Sequence, residues 1–189
     1  SVDPASGRVY VALTNNEDRQ RPDAANPLAP NLAGHILELL PPQTSAGRDH
    51  WASELQWDIF LFGHSAHPEG RDWPCNPDNL LADGRGQLWI ATAGAPDFGF
   101  ADGLWCCDLE GPHRGEPRQL FSCPRGAELC SPEMTPDGRT LFVSVQHPGK
   151  DEGSSYDRPS TRWPDFSRGL PPRPAIMAIS REDGKAISG

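Results

Sequence analysis

One turn-and-strand unit recurs three times along the chain. Each copy begins with a turn rich in Asp, Pro and Gly and continues into a run of alternating apolar or β-branched residues; the copies are Asp3–Leu13, Asp83–Thr92 and Thr135–Val145. Alignment of Tyr10, Trp89 and Phe142 as the equivalent aromatic residue gives spacings of roughly 80 and 50 residues, which match or exceed the ~40–50 residues of a propeller blade. The repeat predicts a partial β-propeller of about three blade-like units, too few to close a ring.

Further strand candidates lie between and after the repeats, at residues 34–39, 55–60, 103–107 and 175–179. No segment has sustained helical periodicity, so the predicted fold class is all-β with under about a tenth helix. The stretches Asn15–Asn31 and Gln146–Pro174 are dense in Pro, Asn, Asp, Arg and Gly, which indicates long irregular loops. Long loops on an economical β scaffold often carry function.

The charge balance bounds the partners of the chain. A net charge of −9 disfavours nucleic acid, whose phosphates are bound by basic surfaces. No stretch approaches the ~20 apolar residues of a membrane span, so no membrane partner is expected. Asp and Asn residues in the loops supply the hard oxygen ligands that calcium prefers, which permits calcium binding without identifying it.

The five cysteines form no CxxC pair and no Cys/His spacing typical of zinc sites. They read as small core residues, with one disulfide left open. The common signatures of hydrolases, nucleotide-binding proteins and zinc proteases are also missing from the sequence. His64 and His67 are the closest histidine pair, and a shared ligand role for them is the less favoured interpretation.

Two carboxylates stand out as candidate ligands. Asp78 lies in the segment Asn76-Pro77-Asp78-Asn79, where it is either a turn residue bonded to local amides or a metal ligand. Glu128 lies in a mostly small and apolar stretch, where burial would require a partner such as a metal ion, and where the alternative is an exposed side chain on an edge strand. Amide side chains could cap turns or donate calcium-binding carbonyls, with capping favoured; these are Asn15, Asn16, Asn26 and Asn31.

Several segments together resemble one family. Gly7–Asn16, Ala25–Asn31 and Gly34–Ile36 open the resemblance, and it continues through Trp57–Phe60, Asn76–Leu80, Thr135–Val143, Gln146–Gly149 and Arg162–Asp165. These segments are similar to those of the PhoX-type alkaline phosphatases, and the resemblance spans nearly the whole chain.

The resemblance implies an exported bacterial phosphomonoesterase on a β-propeller, periplasmic or secreted, with calcium and iron at the ring centre. It implies that Asp78 and Glu128 are metal ligands, although Asn79 stands where the family usually has Gly. The family's other ligands, its iron-bound cysteine and its phosphate-contacting Asn and Arg belong to segments upstream of Ser1. Residues 1–189 are therefore expected to be the C-terminal segment of a longer propeller domain.

Two consequences follow from that expectation. The segment alone should be inactive on a phosphomonoester substrate, and its unpaired sheet edges should favour self-association. The alternative is a non-catalytic propeller module that binds calcium or a protein partner, since fold similarity does not fix function.

Overall fold

The structure is a computed structural model, and it describes residues 1–64 and 73–188. Those residues form twelve β-strands and a short 3-10 turn at Ala95–Phe98, which confirms the all-β prediction. The strands are β1 (Val9–Leu13), β2 (His35–Leu40), β3 (Gln43–Thr44), β4 (Gly47–Arg48), β5 (Gln56–Phe62), β6 (Pro77–Ala82), β7 (Gln87–Thr92), β8 (Gly103–Asp108), β9 (Arg118–Ser122), β10 (Glu128–Met134), β11 (Thr140–Gln146) and β12 (Ala175–Ser180). No helix in the described part of the chain is long and apolar enough to cross a membrane.

The strands form three antiparallel sheets in chain order, plus the small hairpin β3–β4. The first sheet has the order β1-β2-β5, the second β6-β7-β8-β9 and the third β10-β11-β12. Each sheet is therefore built from strands that are close in chain order, although long loops join β1 to β2 and β11 to β12. The four additional strand candidates correspond to β2, β5, β8 and β12, and the two predicted loops contain no named strand apart from Gln146, the last residue of β11.

Two of the three Asp/Gly turns lie between the first two strands of their sheet, β6 and β7 or β10 and β11, and the first turn precedes β1. The Asp83 carboxylate accepts the backbone N–H groups of Arg85 and Gln87, and Asp137 accepts that of Arg139. These local bonds stabilise the reversal, as expected for Asp in a tight turn. In the first sheet, Val2 bridges to Val9 in an antiparallel sense, so the turn after Asp3 also reverses the chain between two paired segments.

Two hydrophobic clusters join the sheets. Tyr10 and Ile36 from the first sheet pack with Leu88 and Ile90 from the second. Trp89 and Leu104 from the second sheet pack with residues of the third, namely Leu129, Leu141, Val143 and Val145. The middle sheet is thus buried on both faces.

Phe142 does not share the burial of Tyr10 and Trp89. Each of those two side chains is 1% exposed, whereas Phe142 is 40% exposed. Side chains alternate across a strand, and on β11 it is Leu141 and Val143 that enter the core. The sequence alignment of the three aromatics was therefore wrong at Phe142, which lies on the outer face of the third sheet.

All five cysteines are free thiols, and four of them are buried. Burial raises the pKa of Cys75, Cys107 and Cys123 to about 12, so these thiols stay protonated at neutral pH. The interpretation as small core residues is confirmed.

Candidate functional site

Asp78 lies in strand β6 and not in a turn, which corrects its predicted position. Pro77 pairs with Thr92 and Asn79 pairs with Ala91, so Asp78 is the extra residue of a β-bulge. The preceding residue, Asn76, has a positive φ of 49°. A bulge and a left-handed residue together re-aim the chain, and here they leave the Asp78 side chain exposed while Pro77 is buried.

Glu128 is the first residue of β10, and its side chain is 31% exposed. Its carboxylate lies 3.3 Å from the Lys150 ammonium. Strand β10 is joined to β6 by a hydrogen bond of 2.7 Å that the Ser131 N–H donates to Asn79 Oδ1. Glu128 therefore lies at the start of a strand that contacts the strand carrying Asp78.

The fold brings these two predicted residues together. Desolvation, and then the negative charge of Glu128, raise the pKa of Asp78 above its ordinary value. Burial, and then the charges of Asp78 and Glu128, raise the pKa of the Cys130 thiol as well. Two carboxylates from different sheets thus share one region, and Lys150 is the close counterion of Glu128 among the described residues.

This arrangement fits a hard cation as part of its ligand set. Neighbouring carboxylates that repel one another are stabilised by a divalent cation, and calcium takes six to eight oxygen ligands. The described residues contain no group of three or more His, Cys, Asp or Glu side chains placed to hold a metal ion. Asp78 and Glu128 would hence supply two ligands of a larger set.

An open cleft of about 780 Å³ adjoins Glu128. Its walls come from the segments 94–102, 124–128 and 150–152, and they carry both apolar and charged side chains. Lys150 lines the cleft with Glu128, and Arg125 is paired there with Asp151 at 2.7 Å. A small organic group could occupy this space next to the Glu128 carboxylate.

The loop amides have mainly a structural role. Asn31 Oδ1 accepts the Gly34 N–H, and Asn31 Nδ2 donates to Asn26 Oδ1 and to His35 Nδ1. Asn16 pairs with Asn31 through the backbone. These contacts confirm the capping interpretation for Asn31. His64 packs edge-on against Phe100, and His67 lies outside the described residues.

Sequence reasoning missed the lysine beside Glu128. Lys150 follows Gly149 in a predicted irregular loop, and its backbone N–H bonds to Gly126 and His147 carbonyls bring the loop back to β10. The contact is separated by 22 residues in sequence. No local pattern predicts such a loop return, so only the folded chain reveals it.

The comparisons with known proteins concern the family and the fold of the chain. The family model of the alkaline phosphatase PhoX matches residues 1–149. The structure of PhoX from Pseudomonas fluorescens, in complex with the transition state analogue vanadate, is similar with a TM-score of 0.80 and 33% sequence identity. No curated protein matches the chain.

The fold and the family match together define a phosphatase-related β domain. The structural match covers 98% of this chain and 33% of the Pseudomonas fluorescens chain, so the chain spans about a third of that protein's length. The chain belongs to the PhoX alkaline phosphatase family. The predicted resemblance is thereby confirmed.

Proposed function

We propose that this chain is the C-terminal segment of a metal-dependent phosphomonoesterase of the PhoX type. The observation that carries the proposal is the placement of Asp78 and Glu128 in one region by two different sheets of a PhoX-family chain. Neither residue is needed there by the core, because both side chains are accessible. Accessible acidic groups held close together cost electrostatic energy unless they bind something positive.

In this proposal the three sheets are successive propeller blades. They follow one another in chain order, each is antiparallel, and the middle one packs face to face against both neighbours. This is the packing of neighbouring blades in a propeller. The first strands of the second and third sheets, β6 and β10, would then face the ring axis with Asp78 and Glu128.

The proposed cofactors are calcium and iron, with Asp78 and Glu128 as ligands. When bound, such cations neutralise the phosphoryl oxygens of a phosphomonoester and lower the pKa of an attacking water. The part of this chain is to hold and orient the carboxylates on two strands fixed to each other by the Ser131–Asn79 bond. Lys150 serves as counterion to Glu128 and would be displaced when a cation binds there.

The proposed substrate is a phosphomonoester, in keeping with the vanadate bound by the Pseudomonas fluorescens protein. The net charge of −9 supports the absence of a nucleic acid partner. A periplasmic or secreted location is proposed from the family resemblance.

The direct test is hydrolysis of p-nitrophenyl phosphate by purified residues 1–189 and by the whole polypeptide that contains them, both supplied with calcium and iron. We expect turnover by the whole polypeptide and none by residues 1–189, because two carboxylates without phosphate-contacting groups cannot stabilise the transition state. Comparable turnover by residues 1–189 would show that the catalytic groups all lie within this sequence. No turnover by the metal-loaded whole polypeptide would favour the alternative of a non-catalytic module that binds calcium or a protein partner.

A further inference from the structure

The side chain of Asn76 is buried, and its amide oxygen has no partner among residues 1–64 and 73–188. Asn76 is 3% exposed, and within that part of the chain Oδ1 is a buried acceptor without a hydrogen bond. Buried polar groups in native proteins are almost always bonded, so an acceptor of this kind is suited to a water molecule or a cation as its partner. Asn76 lies two residues before Asp78, across Pro77.

Two backbone hydrogen bonds hold the main chain of Asn76 in place. The Asn76 N–H donates to the Ala33 carbonyl at 2.8 Å, and the Asn76 carbonyl accepts the Ala93 N–H at 3.1 Å. These two bonds link Asn76 to the first sheet's connecting segment and to the end of β7. The main chain of Asn76 is therefore fixed beside the bulge that presents Asp78.

Gly94 leaves the space that the amide occupies. A Cβ atom at Gly94 would lie 2.2 Å from Asn76 Nδ2, closer than any side chain allows. Nδ2 thus faces the Gly94 backbone, and Oδ1, on the other side of the planar amide, is directed away from it. The left-handed φ of 49° at Asn76 is a conformation that Asn tolerates better than most residues.

We propose that Asn76 Oδ1 is a third oxygen donor to the cation held by Asp78 and Glu128. Side-chain amide oxygens are ordinary calcium ligands, and a cation at this point would satisfy the buried acceptor. The inference rests on the proposed cation role of Asp78 and Glu128. It adds to that role a neutral ligand, which supplies coordination without adding to the repulsion between the two carboxylates.

The third sheet contains a natural control for the backbone of this motif. Ser131 also has a left-handed φ, of 51°, and is followed by a buried Pro132 and an exposed Glu133. The sequence order repeats that of Asn76, Pro77 and Asp78, yet Ser131 is exposed and has no buried acceptor. A change to Gly at either position keeps the backbone conformation accessible, and only the change at Asn76 removes the amide.

The experiment titrates calcium alone into the metal-free whole polypeptide and records the rise in Tm and the calcium bound per chain. We expect Asn76→Gly to weaken calcium binding by at least about ten-fold, on the scale of losses at metal sites. Ser131→Gly removes only the exposed hydroxyl and keeps the backbone N–H that bonds to Asn79, so it should bind calcium as the wild type does. Asn76→Asp should bind calcium as tightly as the wild type or more tightly, because it keeps an oxygen ligand and adds charge.

Each further outcome decides the matter. Wild-type affinity in Asn76→Gly would overturn the inference, and so would an Asn76→Asp variant that has a lowered Tm and gains nothing from calcium, since a merely structural amide would become an unpaired buried charge. Should Asn76→Gly fail to fold, the Asn76→Asp result stands alone as the test. A wild-type protein that binds no calcium would contradict the proposed cation role of Asp78 and Glu128, and the inference with it.

Discussion

Glu38 and the Asp78–Glu128 pair show two opposite ways in which this chain places acidic side chains. Glu38, on β2, is 4% exposed, and its carboxylate accepts hydrogen bonds from Arg114 at 2.8 Å, Tyr10 at 2.8 Å and Arg8 at 3.3 Å. Asp78 and Glu128 are more accessible. The two carboxylates repel each other, so that the charge of Glu128 raises the pKa of Asp78.

The difference separates a structural carboxylate from a candidate ligand. Arg114 lies between β8 and β9, so its bond to Glu38 joins the second sheet to the first. The same guanidinium lies 4.9 Å from the centre of the Phe60 ring on β5 of the first sheet. A buried charge with full compensation is a structural contact. Two neighbouring carboxylates with one exposed lysine are under-compensated, which is the condition in which a divalent cation stabilises a site.

The largest effect is expected at Asp78. In the whole polypeptide, Asp78→Ala should remove nearly all phosphatase activity, at least about a hundred-fold, because it removes a charged ligand. Its unfolding free energy without metal should change by less than about 1 kcal/mol, as for other accessible positions. Turnover of p-nitrophenyl phosphate measures the activity, and urea unfolding measures the unfolding free energy. Wild-type turnover in this variant would show that Asp78 is a residue of the β-bulge and not a metal ligand.

The reverse pattern is expected at Glu38. Glu38→Ala leaves Arg8 and Arg114 facing an emptied, desolvated pocket, which typically costs about 3–5 kcal/mol of unfolding free energy. The folded fraction of this variant should keep the calcium affinity of the wild type, because Glu38 is not one of the proposed calcium ligands. The control is Glu133→Ala on the exposed face of β10, expected to change stability by under about 0.5 kcal/mol. Equal unfolding free energies for Glu38→Ala and Glu133→Ala would contradict the structural role assigned to Glu38.

The repeat predicted the sheets well because its signals are local. Asp, Pro and Gly at the turns and alternation along the strands are properties of neighbouring residues, and they located β1, β7 and β11 correctly. Asp78 and Glu128 were identified through family resemblance, since neither spacing nor composition distinguishes a ligand from a turn residue. Their proximity depends on the packing of β6 against β10. The alignment of Phe142 with Tyr10 and Trp89 failed because a one-residue shift in register exchanges the two faces of a strand.

The buried His35 is a structural residue whose titration should make the stability of the protein depend on pH. Burial lowers the pKa of His35 below its ordinary value of 6.5, and the neutral ring donates from Nε2 to the Ala25 carbonyl while Nδ1 accepts from Asn31. The unfolded chain therefore binds a proton that the folded chain refuses, so stability present above pH 6.5 is lost as the pH falls through that value.

Urea unfolding between pH 7.5 and pH 5 measures this loss. The slope of unfolding free energy against pH should decrease in His35→Gln relative to the wild type, by up to about 1.4 kcal/mol per pH unit. The exposed His50, changed in the same way, should leave the slope unaltered. An unchanged slope in His35→Gln would show that folding does not lower the pKa of this histidine.

The smallest effect concerns self-association of residues 1–189 alone. Phe142 and Ile176 on the outer face of the third sheet are 40% and 75% exposed, next to unpaired strand edges. Edge strands and apolar faces promote association, so sedimentation should show oligomers that Ile176→Thr reduces. A monomer at all concentrations would contradict the predicted edge-strand association.

We propose that Asp78 and Glu128 bind cations whereas Glu38 does not. The most direct measurement is elemental analysis of the purified whole polypeptide, comparing the wild type with Asp78→Asn, Glu128→Gln and Glu38→Gln. We expect calcium and iron per chain to fall in the first two variants and to match the wild type in folded Glu38→Gln. Full metal content in both Asp78→Asn and Glu128→Gln would contradict the proposed ligand roles.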